Sequence, residues 1–192
     1  MKPEHGAPVG IYDVISVRRA SSVAGGAGDS AWPAAPMARF GQTIAWIDGR
    51  ICSRDALQGS PSAAIGLSDP ILADLALGGA DQAAGYEMRC EGAGAARFAV
   101  VDREVLVAAS PDGLLYAVLE RRRTQEEIRA IQQALSRAGF YEGVTDGQVD
   151  ASFRQAVSKF LVSRGAAFAL KDPALTTAAL QALGVRFEAP QK

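Results

Sequence analysis

The side chains able to do chemistry are few in this sequence, and their number rules out more than it suggests. There is one histidine, His5, and there are two cysteines, Cys52 and Cys90, in 192 residues. A hydrolytic zinc centre held by two histidines therefore cannot be assembled within the chain. A Cys–His or Ser–His nucleophile pair would have to recruit His5 from the N-terminal end, where it reads as a solvated terminal residue. No Gly-x-Ser-x-Gly elbow and no glycine-rich phosphate loop occurs, and "GGAG" at Gly25–Gly28 has the composition of a linker. Carboxylates are not excluded by counting, because glycoside cleavage needs only one or two of them. Glu87, Glu91, Glu104 and Glu120 all fall in a stretch with β character, where they read as ordinary solvent-face charges. We expect no catalytic group, no metal site and no cofactor.

The two cysteines leave two readings open. An even count fits one disulfide in an exported protein, and two buried thiols in a cytosolic one fit as well. If they pair, closing a loop of that length stabilises the fold by roughly 3–4 kcal/mol on the entropic account. Charge singles out no partner. Lys and Arg total 20 against 21 Asp and Glu, for a net charge of −1, and the balance holds on either side of Arg123. No basic field is present to draw nucleic acid or anionic lipid. No run approaches the ~18–20 apolar residues of a membrane span. "MKPEHGAPVG" has neither an apolar core nor a cleavage site, which fits a cytosolic protein or one whose signal has been removed.

The elements that would carry these residues fall into three zones. Residues 1–39 are rich in Ala, Gly, Ser and Pro, and "ASSVAGGAGDSAWPAAPMA" predicts a loosely ordered arm. Within it, "VGIYDVISVRR" alternates well enough to add a strand to a sheet, and Trp32 could pin the arm down. Residues 40–122 read as a small antiparallel β domain, a sheet or barrel. "TIAWIDGRIC" places Asp48-Gly49 between apolar runs, the favoured two-residue hairpin turn. "ARFAVVDREVLVAA" predicts a second hairpin around Asp102-Arg103, and "SPDG" at Ser110–Gly113 is a type I turn leading into "LLYAVLERR". Further strands are expected near "AAIGLS" and "YEMRCEG", and "PILADLAL" fits a strand or a short helix. "ERRRTQ" is the joint.

Residues 124–185 switch to a helical period, followed by a tail over 186–192. Thr124 with Glu127 is a capping box. Ile128, Ile131, Leu135 and Ala138 share one face, and Gly139 supplies a left-handed stop. A second helix is predicted from Ser152, with Gln155 three residues on. It lines up Phe153, Ala156, Val157, Phe160 and Leu161, and ends at Gly165. A third opens at Asp172-Pro173, buries Leu175, Ala179 and Leu183, and closes at Gly184. The whole is expected to be α+β in two domains, a β unit followed by a three-helix bundle.

Within that last zone, "IQQALSRAGFYEGVTDGQVDASFRQAVSKFL" presents Gln132, Leu135, Gly139, Phe140, Tyr141, Gly143, Asp146, Gly147, Ala156, Val157 and Phe160 in a distinctive order. It resembles the small three-helix peptidoglycan-binding domain found at the ends of many bacterial cell-wall hydrolases. The resemblance covers roughly the last third of the chain; the β zone resembles no family. Three positions depart from the pattern: Asp150 stands where the family has glycine, Phe153 where it has threonine, and Leu161 where it has glutamine. The resemblance implies a ligand site among Tyr141, Gly143, Asp146, Gly147 and Arg154. An aromatic ring and a guanidinium suit the apolar faces and carboxylates of sugars and stem peptides. The same glycines, Asp146 and Phe140 also have a purely architectural use, since positive φ and local carboxylate bonds make such a loop turn.

The resemblance implies a periplasmic or wall-associated protein, and that compartment favours the Cys52–Cys90 disulfide. The leading expectation is a non-catalytic envelope protein whose helical domain binds peptidoglycan, by glycan strand or stem peptide. Its β domain would contact an envelope protein partner. Three alternatives stand beside it. One is a β-barrel inhibitor or immunity-type protein acting on an envelope enzyme or toxin, an argument from fold analogy alone. Another is a carboxylate-type peptidoglycan hydrolase. The last is a binding-like fold reused as a protein–protein module.

Overall fold

The computed structural model describes residues 10–19, 37–40, 44–47, 50–53, 84–90, 93–109, 115–165 and 173–187. The chain divides into two units, Met1–Arg122 and Arg123–Lys192. Among the described residues the first is all strand and the second holds only helices, so the class is α+β.

Eight strands make the first unit: β1 (Gly10–Arg19), β2 (Met37–Phe40), β3 (Ile44–Ile47), β4 (Arg50–Ser53), β5 (Ala84–Cys90), β6 (Ala93–Val100), β7 (Val105–Ala109) and β8 (Leu115–Arg121). Each pairs antiparallel with the next, and β8 returns to β1, closing a barrel with no free edge. The Asp48-Gly49 hairpin forms as the dipeptide predicts, with Ile47 opposite Arg50. The hairpin at Asp102 forms too. There the Asp102 carboxylate accepts the backbone N–H groups of Glu104 and Val105, at 2.8 and 3.0 Å. "SPDG", "AAIGLS", "PILADLAL", Trp32 and His5 lie outside the described residues.

Two expectations change here. The sheet begins well before Phe40. Gly10–Arg19 is not part of an arm; it is β1, paired with β2 at one edge and with β8 along most of its length at the other. The strand expected from the alternation of "VGIYDVISVRR" therefore forms, and what changes is its assignment to the arm.

The solvent-face reading also fails for two of the four carboxylates, Glu104 and Glu120. Glu104 is 0% exposed and Glu120 4%. Val105–Val107 and Tyr116–Glu120 are buried without a break, so both faces of β7 and β8 are covered and in–out alternation gives no guide there. Glu104 survives burial because both its oxygens are paired, Oε1 with Arg103 Nε at 3.2 Å and Oε2 with Arg121 Nε at 3.0 Å. Tyr12 closes the same cluster, donating its hydroxyl to the Arg103 carbonyl at 2.7 Å. Burial, and then the charge of Glu104, push the Tyr12 phenol well above its ordinary pKa.

The second unit contains α1 (Gln125–Arg137), α2 (Ala151–Arg164) and α3 (Thr177–Ala182). The capping box at α1 is complete, Thr124 Oγ1 accepting from Glu127 N and Glu127 Oε2 from Thr124 N. Gly139 turns left-handed at φ +79° just after the Ala138 cap. Ile128, Ile131, Leu135, Phe153, Ala156, Val157, Phe160, Leu161, Leu175 and Ala179 join one core. Ala138 lies exposed beyond the stripe, and Ala134 and Gln132 are buried in it.

Both later helices start elsewhere than predicted. Asp150, not Ser152, caps α2, because its carboxylate reaches Phe153 N at 2.7 Å and also accepts the Ser152 hydroxyl at 2.8 Å. Thr176 caps α3, taking Ala179 N at 3.2 Å, so Pro173–Leu175 precede the helix. Asp172 is outside the described residues. Ala174 and Leu175 enter the core from this extended approach, and the Leu175 carbonyl accepts Arg123 Nη2 at 3.0 Å.

Candidate functional site: the loop between the first two helices

The loop between α1 and α2 folds around a buried amide. Gln132 projects from the inner face of α1 and is fully buried. Its Oε1 accepts Gly147 N–H at 2.8 Å, and its Nε2 donates to the Gln148 carbonyl at 2.9 Å. Longer contacts of 3.4 Å run from Nε2 to the Tyr141 hydroxyl and to Asp146 Oδ1. One side chain thus stands in for a backbone neighbour, satisfying a donor and an acceptor that a strand would otherwise have to meet.

The rest of the loop closes over that amide. The Tyr141 hydroxyl donates to the Val144 carbonyl at 2.9 Å. Its ring is 4% exposed and meets Phe153 edge-on, with centroids 6.4 Å apart. Asp146 Oδ1 accepts Gln148 N at 2.9 Å, an Asx turn, while its carbonyl takes Gln125 Nε2 at 2.9 Å. A Cβ at Gly143 would stand 2.5 Å from the Tyr141 ring. Gly147 has φ +80°, and a Cβ there would strike the backbone carbonyl of Gln125. Both glycines are demanded by contact.

The residues expected to touch a ligand thus separate into two groups. Tyr141 and Gly147 are buried in the loop's interior, and Tyr141 offers almost no surface to a ligand. Gly143 is exposed, and its lack of a side chain leaves room for the Tyr141 ring. Asp146 is exposed, though its carboxylate is engaged with the turn. Arg154 is half-buried, its guanidinium 5.8 Å above the Phe153 ring.

What the loop shows outward was missed from sequence. Val144 is 75% exposed and Val149 48%, beside the exposed Glu142 and Gln148. Both are apolar side chains held out to solvent on a loop locked from within. The available signal was valine in a loop of otherwise turn-forming residues.

Other candidate sites differ in kind. Glu104 is enclosed and doubly ion-paired, which leaves it no open position toward a substrate. Among the described residues no cluster of acidic, histidine or cysteine side chains is arranged to hold a metal ion. No helix among them is long and apolar enough to cross a membrane. Cys52 and Cys90 stand directly opposite each other in the register of β4 and β5.

Residues 124–160 match the family model described as "Putative peptidoglycan binding domain". The match spans α1, the Gln132-centred loop and most of α2, and leaves Met1–Arg123 and Leu161–Lys192 unassigned. No curated protein and no solved structure gives a significant match to the chain. The C-terminal region is therefore similar to a "putative peptidoglycan binding domain", which supports association with the cell wall.

Proposed function

We propose that this is a non-catalytic envelope protein that docks on peptidoglycan through the outward side of the α1–α2 loop. The observation that carries the reading is the exposed Val144–Val149 surface, lying wholly inside the matched segment. Valine methyl groups suit the apolar faces of pyranose rings and the methyl groups of alanine-containing stem peptides. Arg154, at the start of α2, supplies a cation for stem-peptide carboxylates. Asp146 contributes through the loop it shapes. Tyr141, Gly143 and Gly147 act from beneath, by fixing the surface rather than touching the ligand. The β unit is free on this reading to meet a protein partner in the periplasm or at the wall.

Co-sedimentation with purified sacculi tests this on the full chain. A Val144→Asp/Val149→Asp variant should lose at least tenfold in bound fraction while its thermal unfolding is unchanged, because both side chains already face water. Binding equal to the unsubstituted protein would remove the loop from the interface. Absence of binding by the unsubstituted protein would remove peptidoglycan as the ligand.

A further inference from the structure

We infer that Cys52 and Cys90 form a cystine that staples the seam between β4 and β5, and that the first unit is completed by thiol oxidation. The placement comes from the backbone alone. Described pairings along the barrel run over three or more residues at every neighbouring pair of strands but one. The exception is β4 with β5, whose register is the single pair Cys52↔Cys90. These are the chain's only two cysteines. They are the partners of the one described pair that joins β4 to β5.

Geometry permits the bond whichever kind of pair this is. Residues directly opposite in an antiparallel ladder have Cα atoms about 4.5 or 5.5 Å apart, according to whether the pair is hydrogen-bonded. Both separations lie within the roughly 4.4–6.8 Å that a disulfide spans. Opposite residues also share a face of the sheet. The register of β5 against β6 shifts between Met88 and Cys90, so regular pairing on the other side of β5 is already interrupted at that residue. A covalent link here ties the β1–β4 half to the β5–β8 half at the described β4–β5 pair.

The bond forms by thiol–disulfide exchange. A thiolate of one cysteine attacks the disulfide of an oxidant, such as oxidised glutathione or a dithiol oxidoreductase, giving a mixed disulfide and one released thiol. The second cysteine's thiolate then displaces the remaining carrier sulfur. The two cysteine protons pass through solvent to the departing thiolates, and two electrons pass to the oxidant, which leaves as two thiols or a dithiol. A disulfide of this kind persists in oxidising compartments, on the outer side of the bacterial inner membrane. That places the first unit in the same compartment as the wall, without reference to the family match.

The test uses the full chain equilibrated in an oxidised–reduced glutathione buffer, then denatured in iodoacetamide. Intact mass should show no alkylated thiol before reduction and two after it. Proteolytic mapping should recover the Cys52 and Cys90 peptides as one linked species within a monomer. Reduction of the folded protein should lower its unfolding temperature by on the order of 10 °C. Two alkylated thiols in the unreduced, folded protein would overturn the proposal, as would a link between two chains. An intramolecular link whose reduction leaves the unfolding temperature unchanged would overturn its role as a staple. Mapping on the unsubstituted chain keeps the question decidable even where a Cys52→Ser variant fails to fold.

Discussion

Each unit hides one polar side chain at the heart of a turn, and the two have solved the burial problem in opposite ways. In the first unit Glu104 brings a full charge beneath β7 and β8 and takes two arginines with it. In the second Gln132 brings no charge and spends its amide on backbone groups of the loop it supports. A buried carboxylate needs cations, which here come from the adjacent Arg103 and from Arg121 on β8. A buried amide needs only one donor and one acceptor, which a nearby loop can supply. Both links reach across a similar stretch of sequence, so the two solutions differ in charge and not in reach.

The largest effect should come from breaking the charged solution on one side. Glu104→Ala removes the carboxylate that pairs with Arg121, whose side chain is only 17% exposed. Removing one member of such a pair is expected to cost about 3 kcal/mol in urea unfolding, the lower end of the range for fully buried pairs. The double replacement Glu104→Leu/Arg121→Leu should recover most of that loss, since an apolar pair of similar volume needs no partners. If the double variant is no better than the single, the cluster is held by more than its charges.

The neutral solution should break more gently and more locally. Gln132→Leu keeps volume but strands the Gly147 N–H and the Gln148 carbonyl, for about 2 kcal/mol of lost stability. Amide exchange should rise at Gly147 and Gln148 and stay unchanged along β7 and β8. Protection lost uniformly across both units would mean that Gln132 governs more than its loop. Sacculus binding should fall with the loop's order, although no substituted atom faces the ligand. That outcome would sharpen the distinction between residues that shape the surface and those that present it.

The sequence exposed the helical half of the molecule more fully than the β half, for physical reasons visible at particular residues. Thr124, Glu127 and Gly139 act through contacts within a few positions, so their meaning is written locally. Hairpins at Asp48-Gly49 and Asp102 were legible on the same ground. Burial of Glu104 and Glu120 was not, because it depends on what covers both faces of β7 and β8, which no local period records. The even cysteine count and the implied compartment pointed to Cys52 with Cys90, but their direct opposition depends on register across a long connection, which no local signal records. At the loop, Gly143 and Gly147 signalled a tight turn correctly, but whether a glycine serves a ligand or a neighbouring ring depends on the third dimension. Tyr141 is the clearest case. Its type fitted a sugar platform, and its place in the core gives it to Val144 and Phe153 instead.

The smallest effect concerns Asp150, where the chain departs from the family's glycine. Bonds from Phe153 N–H and then from the Ser152 hydroxyl hold its carboxyl below the ordinary carboxylate value. A depressed folded pKa means the cap contributes stability above the unfolded value and loses it as pH falls through the folded one. Asp150→Ala should therefore lower the unfolding temperature at neutral pH, with the gap to the unsubstituted protein narrowing steadily below the ordinary carboxylate pKa. Asp150→Asn keeps an acceptor for Phe153 N–H that does not titrate, so its unfolding temperature relative to Asp150→Ala should not depend on acidity. A gap between the unsubstituted protein and the Ala variant that persists unchanged into strong acid would show that the side chain's hydrogen bonds, not its charge, hold the start of α2. Glycine at this position leaves the helix start without a side-chain acceptor, which makes the departure a gain in scaffold stability independent of the loop's outward surface.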